Sequence, residues 1–363
     1  MDFRARQNQL REHLASSQSD ALLVTHLPNI RYLCGFTGSA GILLVEEGQS
    51  VFFTDVRYDT QAHDEVKAAK VIVARKSVLQ CLGEWSSKRR KRAVRKRTIG
   101  VEAEHFTLAD KKRLNALLPS GTRLRSGPSV VEQARMVKDA DELRLIRDAV
   151  NLGARLFERA LEVLRPGAKE AEVAAEMEYA ARRAGAEGMS FPTIIASGPR
   201  SALPHARAAN LPIQPGGFVV CDFGVILAGY CSDQTRTVWV GSIPDEARRA
   251  YEAVREAQQA AIEAVRPDVA AGEIDAAARK VLRKAGLGRY FTHSTGHGVG
   301  LEIHEAPRVA AGQHEALRPG MVITIEPGVY FPGKWGVRIE DMVAVTAGGC
   351  EVLTPTSKDF LAV

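Results

Sequence analysis

Apolar and polar positions fall into two regimes along the chain. In the first, short apolar runs ("ALLVT" from Ala21, "AGILLVEE" from Ala40, "SVFFTD" from Ser50, "KVIVA" from Lys70, "TIGVEAE" from Thr98) alternate with stretches of helical spacing such as "LADKKRLNALL" from Leu108. Alternation of strand-like and helix-like segments predicts an α/β layer domain. The opening "MDFRARQNQLREHLASSQSD" reads as a polar amphipathic helix and has no apolar core of the kind a signal peptide carries. "GTRLRSGPSVVEQARMVKD" reads as a last strand and a crossing linker, which sets domains of 1–128 and 129–363. A chain of 363 residues also suits two cores better than one.

The second regime opens on a long helix over "DADELRLIRDAVNLGARLFERALEVLRPG". Asp139 or Asp141 is its cap and Pro166-Gly167 its stop, with Leu143, Ile146, Val150, Phe157, Leu161 and Leu164 as the apolar stripe. From there the pattern is written twice. "RPGAKEAEVAAEMEYAARRAGAEG" from Arg165 matches "RPDVAAGEIDAAARKVLRKAGLG" from Arg266 at an offset of 101. "PGGFVVCDFGV" from Pro215 matches "PGMVITIEPGV" from Pro319 at an offset of 104. Two copies of helix, helix and strand hairpin predict halves related by a pseudo-twofold axis, with the hairpins meeting at the centre.

Composition is that of an ordinary soluble globular protein, 45% hydrophobic and 25% charged. No apolar run approaches the roughly 18 residues of a membrane span, so no membrane partner is expected. The net charge of +6 comes from "KRRKRAVRKR", residues 88–97, whose eight basic residues leave a mildly acidic remainder. With no aromatics interleaved, that run predicts a solvated helix end and loop, and no nucleic-acid partner. Five cysteines without a CxxC pair argue against a disulfide scaffold and for a reducing cytoplasm.

Chemistry concentrates in the hairpins. Asp222 and Asp233 have their midpoint at 227.5, inside "ILAG", and Glu326 and Glu340 have theirs at Gly333. Residues equidistant from a hairpin turn lie opposite each other, with Cβ atoms about 4.5–5.5 Å apart. Like charges so placed on apolar strands are destabilising unless cations intervene. Two divalent metal ions would balance four carboxylates, and a histidine adds one nitrogen donor; Mn²⁺, Co²⁺, Fe²⁺ or Zn²⁺ suits such a set. Taken singly, each acid has an ordinary alternative as a surface residue or ion-pair partner. "HSTGHGVGLEIHEAPR", residues 293–308, supplies histidines at 293, 297 and 304 among three glycines, open to reading as metal ligands, proton carriers or a phosphate loop.

The array Asp222, Asp233, His297, Glu326 and Glu340 resembles the metal-ligand set of the pita-bread metallopeptidases, the M24 family. "GHGVGLEIHEAPR", "IEPGVY" and "VRIED" are similar to its proline-peptidase branch, the Xaa-Pro aminopeptidases and Xaa-Pro dipeptidases (prolidases). "NIRYLCGFTGSAG" and "FTDVRYDTQA" look like the N-terminal domain of short bacterial members. The resemblance implies a creatinase-like α/β N-terminal domain, and an α+β pita-bread catalytic domain with an internal pseudo-twofold repeat. It implies a dinuclear-metal exopeptidase, Mn²⁺ first among the candidate ions, that cleaves the Xaa-Pro bond of proline-containing peptides. It also implies a cytoplasmic homodimer.

Residue by residue, the resemblance implies that Asp222 and Glu340 bridge the metals, Asp233 binds one, and His297 with Glu326 binds the other. Glu326 and His304 are the implied catalytic groups, with His205 and Arg338 beside them and Thr235 behind the ligands. His293, His205 and Arg308 are implied to contact substrate, Arg308 by binding the substrate's carboxylate. A metal-free enzyme of the creatinase type, or a non-catalytic peptide-binding module, is the alternative use of such a fold. The glycines are expected to allow close backbone approach.

Overall fold

The computed structural model describes residues 1–16, 19–90, 96–127 and 129–363, and the chain divides into two compact units, Met1–Arg135 and Met136–Val363. The centre of the basic run, residues 91–95, lies outside the described residues. Its start is the end of helix Val78–Arg90, and Arg97 opens strand Arg97–Glu102.

In the first unit six strands form one mixed sheet in the order Lys70–Ala74, Ser50–Asp55, Ile42–Glu46, Ala21–Val24, Arg97–Glu102, Thr122–Gly127. Ala21–Val24 pairs antiparallel with Ile42–Glu46 and parallel with Arg97–Glu102. Every residue of these two central antiparallel strands is buried, which explains why they read as unbroken apolar runs: a sheet covered on both faces has no polar side to alternate with. The segment expected as a crossing linker contains helix Val130–Met136. Its Arg135 donates to Asn29, whose amide also bonds Glu102 and Glu132. These bonds hold the helix to the first unit, so the division falls at 135/136 and not at the expected 128/129.

The second unit begins with helix Ala140–Val163, capped by Asp139 in a reciprocal capping box with Glu142. Asp139→Ala should cost this unit about 1 kcal/mol, read as a lowered denaturation midpoint. Two cores meet along this helix. Ile146 and Val150 pack with Val299 and Met342, whereas Leu152, Leu156 and Phe157 pack with Val219 and Phe223. A single stripe therefore underestimates its buried surface.

The repeat is visible in the fold. Helices Glu170–Arg183 and Ala271–Lys284 begin and end 101 residues apart. Their entries are tied alike: Glu170 N–H donates to Leu211 and Ala271 N–H to Glu315, while Gly167 N–H donates to Ile213 and Asp268 N–H to Leu317. Each helix pair covers its own hairpin, Gly217–Phe223 with Gln234–Val240 in one half, and Val322–Ile325 with Asp341–Val345 in the other.

Candidate metal centre

In the second hairpin, Ile325 pairs with Asp341 and Gly328 with Arg338. One register runs through both pairs, so Glu326 and Glu340 face each other about Gly333 as expected. In the first hairpin the turn is centred one residue later, which moves the pairing by two. Leu227 pairs with Tyr230 across the turn Ala228-Gly229, and Asp222 faces Thr235 instead of Asp233. Both turn residues have positive φ, 48° and 85°, the requirement of a two-residue hairpin turn. Asp233 thus reaches the centre from a neighbouring register position, and Thr235 takes the place opposite Asp222.

All ten expected residues (Asp222, Asp233, His297, Glu326, Glu340, His205, His293, His304, Arg308, Arg338) line one cavity of about 730 Å³. Asp233, His297 and Glu340 each offer a ligand atom within 4.8 Å of the others. The Nε2 of His297 lies 3.5 Å from Asp233 Oδ2 and 3.6 Å from Glu326 Oε1. Its Nδ1 faces the Gly298 carbonyl at 2.9 Å, which fixes the proton there and leaves Nε2 as a lone-pair donor. The rings of His297 and His304 meet edge to face at 4.4 Å. Arg308 pairs directly with His297 across two strands.

The acids have few partners. Thr235 Oγ1 donates to Glu340 at 2.6 Å, Arg338 donates to Asp222 Oδ2, and Asp222 Oδ1 is buried with no hydrogen bond. Burial, reinforced by the charges of Glu340, Asp222 and Glu326, pushes the Asp233 carboxyl well above its usual range. Burial and Glu326 do the same to Glu340, and burial lifts Glu326 to about 7 against the pull of Arg338. Burial holds His297 and His293 neutral, with pKa values down to about 4, and lowers His304 as well. Buried acids short of donors beside a neutral imidazole make poor structural pairs and a fitting set for hard or borderline divalent cations.

Tyr330 escaped the reading of the sequence. Its hydroxyl accepts from Arg338 Nη1 at 2.7 Å and faces His293 Nε2 at 2.9 Å, joining a cleft wall to the group that bonds Asp222. The available signal was strand alternation, since Tyr330 is four residues from Glu326 and shares its face. A buried Lys138–Glu305 pair, 3.1 Å apart, was also missed because Lys138 lies far away in sequence. The glycines serve strand packing: a Cβ on Gly296 would come 1.9 Å from the Thr324 carbonyl, and one on Gly298 2.2 Å from that of Ala306.

Residues 144–347 match the model of metallopeptidase family M24, and residues 6–137 match the creatinase/prolidase N-terminal domain. The chain belongs to metallopeptidase family M24. An Xaa-Pro dipeptidase of Pyrococcus horikoshii is 36% identical over 355 residues, 96% of this chain and 97% of that one. The structure of an Xaa-Pro dipeptidase from Bacillus anthracis superposes with a TM-score of 0.94 at 36% identity, covering 100% of both chains. That of an X-Pro aminopeptidase from Thermotoga maritima gives 0.88 at 35% identity, covering 95% and 98%. The M24 architecture, a creatinase-type N-terminal domain followed by a pita-bread domain, accounts for the two units. No helix among the described residues is long and apolar enough to cross a membrane.

Proposed function

We propose that this M24 peptidase hydrolyses the Xaa-Pro bond at the start of short peptides or in Xaa-Pro dipeptides, with two divalent metal ions. One observation carries the reading: a single cleft gathers the carboxylates of Asp222, Asp233, Glu326 and Glu340 around the neutral His297, with three further histidines and three arginines on its walls. The names of its relatives, dipeptidases and an aminopeptidase for proline peptides, support the substrate class. Asp222 and Glu340 would serve both ions, Asp233 one, and His297 with Glu326 the other. The oxygen-rich set favours Mn²⁺, with Co²⁺, Zn²⁺ or Fe²⁺ as substitutes. When bound, the ions polarise the scissile carbonyl and acidify water.

The protein's own residues do the rest. Glu326 takes a proton from the attacking water at a carboxylate oxygen and passes it to the leaving proline nitrogen. His304 stabilises the developing oxyanion, with His205 beside it. Arg338 orients Asp222 and, through Thr235, Glu340. His293 forms a wall for the proline ring, and Arg308 receives the substrate carboxylate. A homodimer in a reducing compartment belongs to the same reading; all five cysteines are free.

The test compares an Xaa-Pro dipeptide with an Xaa-Pro-Xaa tripeptide, after chelation and then reloading with Mn²⁺ or Co²⁺. Activity should vanish and return, and the faster substrate decides between dipeptidase and aminopeptidase. No turnover of either by the loaded protein overturns the proposal. His304→Ala should lower kcat by about 10²–10³-fold with bound metal unchanged, as loss of an oxyanion donor does.

A further inference from the structure

Two buried carboxylates outside the cleft are unexplained by metal or substrate. Glu170, fully buried, is the first residue of helix Glu170–Arg183. Its Oε1 accepts from Ser197 N at 2.7 Å and Ser197 Oγ at 2.8 Å; its Oε2 accepts from Arg200 Nε at 3.0 Å and Ala209 N at 3.0 Å. Arg200 Nη2 reaches on to the Arg207 carbonyl at 2.5 Å. The clasped segment, residues 197–209, carries His205 into the cleft.

Asp275, 1% exposed on helix Ala271–Lys284, does the equivalent in the other half. Its Oδ1 accepts from Thr295 Oγ1 at 2.8 Å and its Oδ2 from Arg279 Nε at 2.7 Å. Arg279 in turn donates to the carbonyls of Phe291 at 3.2 Å and His293 at 2.5 Å. The Thr295 carbonyl receives the N–H of Glu326 at 2.7 Å. At the repeat offset of 101, Glu170 corresponds to Ala271 and Asp275 to Ala174, so neither acid has an acidic counterpart. The same task is met from different helix positions, which sets it apart from the shared packing of the repeat.

A buried carboxylate costs desolvation, and its hydrogen bonds can fix a conformation that a well-packed apolar residue would not. Here what they fix is backbone whose side chains face the cleft. We propose that Glu170 and Asp275 are positioning residues, each clamping through an arginine the loop that presents one cleft histidine, His205 or His293, to the substrate. This rests on the Xaa-Pro reading for what those histidines touch, but not for the clamp itself.

The test uses the full-length protein carrying Asp275→Asn, Arg279→Met or Glu170→Gln. In the Mn²⁺-loaded enzyme, Asp275→Asn and Arg279→Met should raise KM for an Xaa-Pro dipeptide about tenfold, the scale of lost outer-sphere support, with kcat within about threefold. Glu170→Gln should lower kcat/KM similarly, and bound metal should equal wild type in all three. In metal-free protein with ¹⁵N-labelled histidine, Asp275→Asn and Arg279→Met should shift the His293 ring signals and leave those of exposed His63 unmoved. Unchanged KM with unmoved His293 signals overturns the proposal. So does a loss of metal and of melting temperature together, which marks a merely structural role. An inactive wild type whose His293 signals still respond to Asp275→Asn indicts the substrate reading and upholds the clamp.

Discussion

Glu340→Gln should abolish turnover and at the same time stabilise the metal-free protein at neutral pH. Glu340 would serve both ions, and an amide cannot supply the negative charge that holds them; kcat/KM should fall on the order of a thousandfold or more, as for loss of a central catalytic group. The stability gain comes from the same charge. With no cation present, burial and the charges of Glu326 and Asp222 raise the folded-state pKa of Glu340. The charged form is therefore penalised in the fold but not in the unfolded chain. That penalty is absent at low pH, where both states are protonated, and grows as pH rises through the unfolded value. The glutamine side chain keeps an oxygen for the Thr235 hydroxyl and carries no charge. Metal-free Glu340→Gln should melt above metal-free wild type at pH 7 and level with it near pH 4. Undiminished activity, or a lower melting temperature at pH 7, would sink the two-metal reading of this residue.

Metal affinity should fall steeply as pH drops from 7 to 5. Glu326, lifted to about 7, and Asp233 and Glu340, raised well above their usual range, hold protons that a cation must displace. Each displaced proton makes affinity fall on the order of tenfold per pH unit, so the Glu326 proton alone gives on the order of 10²-fold across that window. His297, down to about 4, is already a neutral donor throughout and adds no dependence. Calorimetric titration with Mn²⁺ in two buffers of different ionisation enthalpy should show proton release at pH 6.5. Binding that is independent of pH above 6, with no protons released, would contradict the electrostatics of the empty centre.

Hydrophobic patterning and the internal repeat carried most of the architecture, because both halves bury one face of long amphipathic helices against apolar hairpins. The register of the second hairpin was equally legible, since its turn is symmetric about Gly333. The turn of the first hairpin was misjudged by one residue because "ILAG" holds a single glycine, and the pattern does not say that Ala228 shares the left-handed turn with Gly229. Tyr330 was hidden for a different reason: an aromatic on a hairpin strand reads as core until its hydroxyl is seen between His293 and Arg338. Glu170 and Asp275 carry no mark in the sequence pattern, since acids are common in Ala/Arg-rich helices. Only tertiary contact shows them buried, because their partners lie between 4 and 39 residues away along the chain.

The division of ligands between the halves bears on how such a chain could have arisen. Of the proposed ligands, the first hairpin carries Asp222 and Asp233 and the second carries Glu326 and Glu340, so each copy brings two acids. His297 has no matching histidine in the corresponding stretch, residues 193–198, at any of the repeat offsets. Two identical ancestral halves of the first kind, paired about a true twofold axis, would have enclosed four carboxylates without this imidazole. Fusion of such halves into one polypeptide would free the copies to diverge, and His297, the proposed nitrogen donor, is where the two halves differ in chemistry.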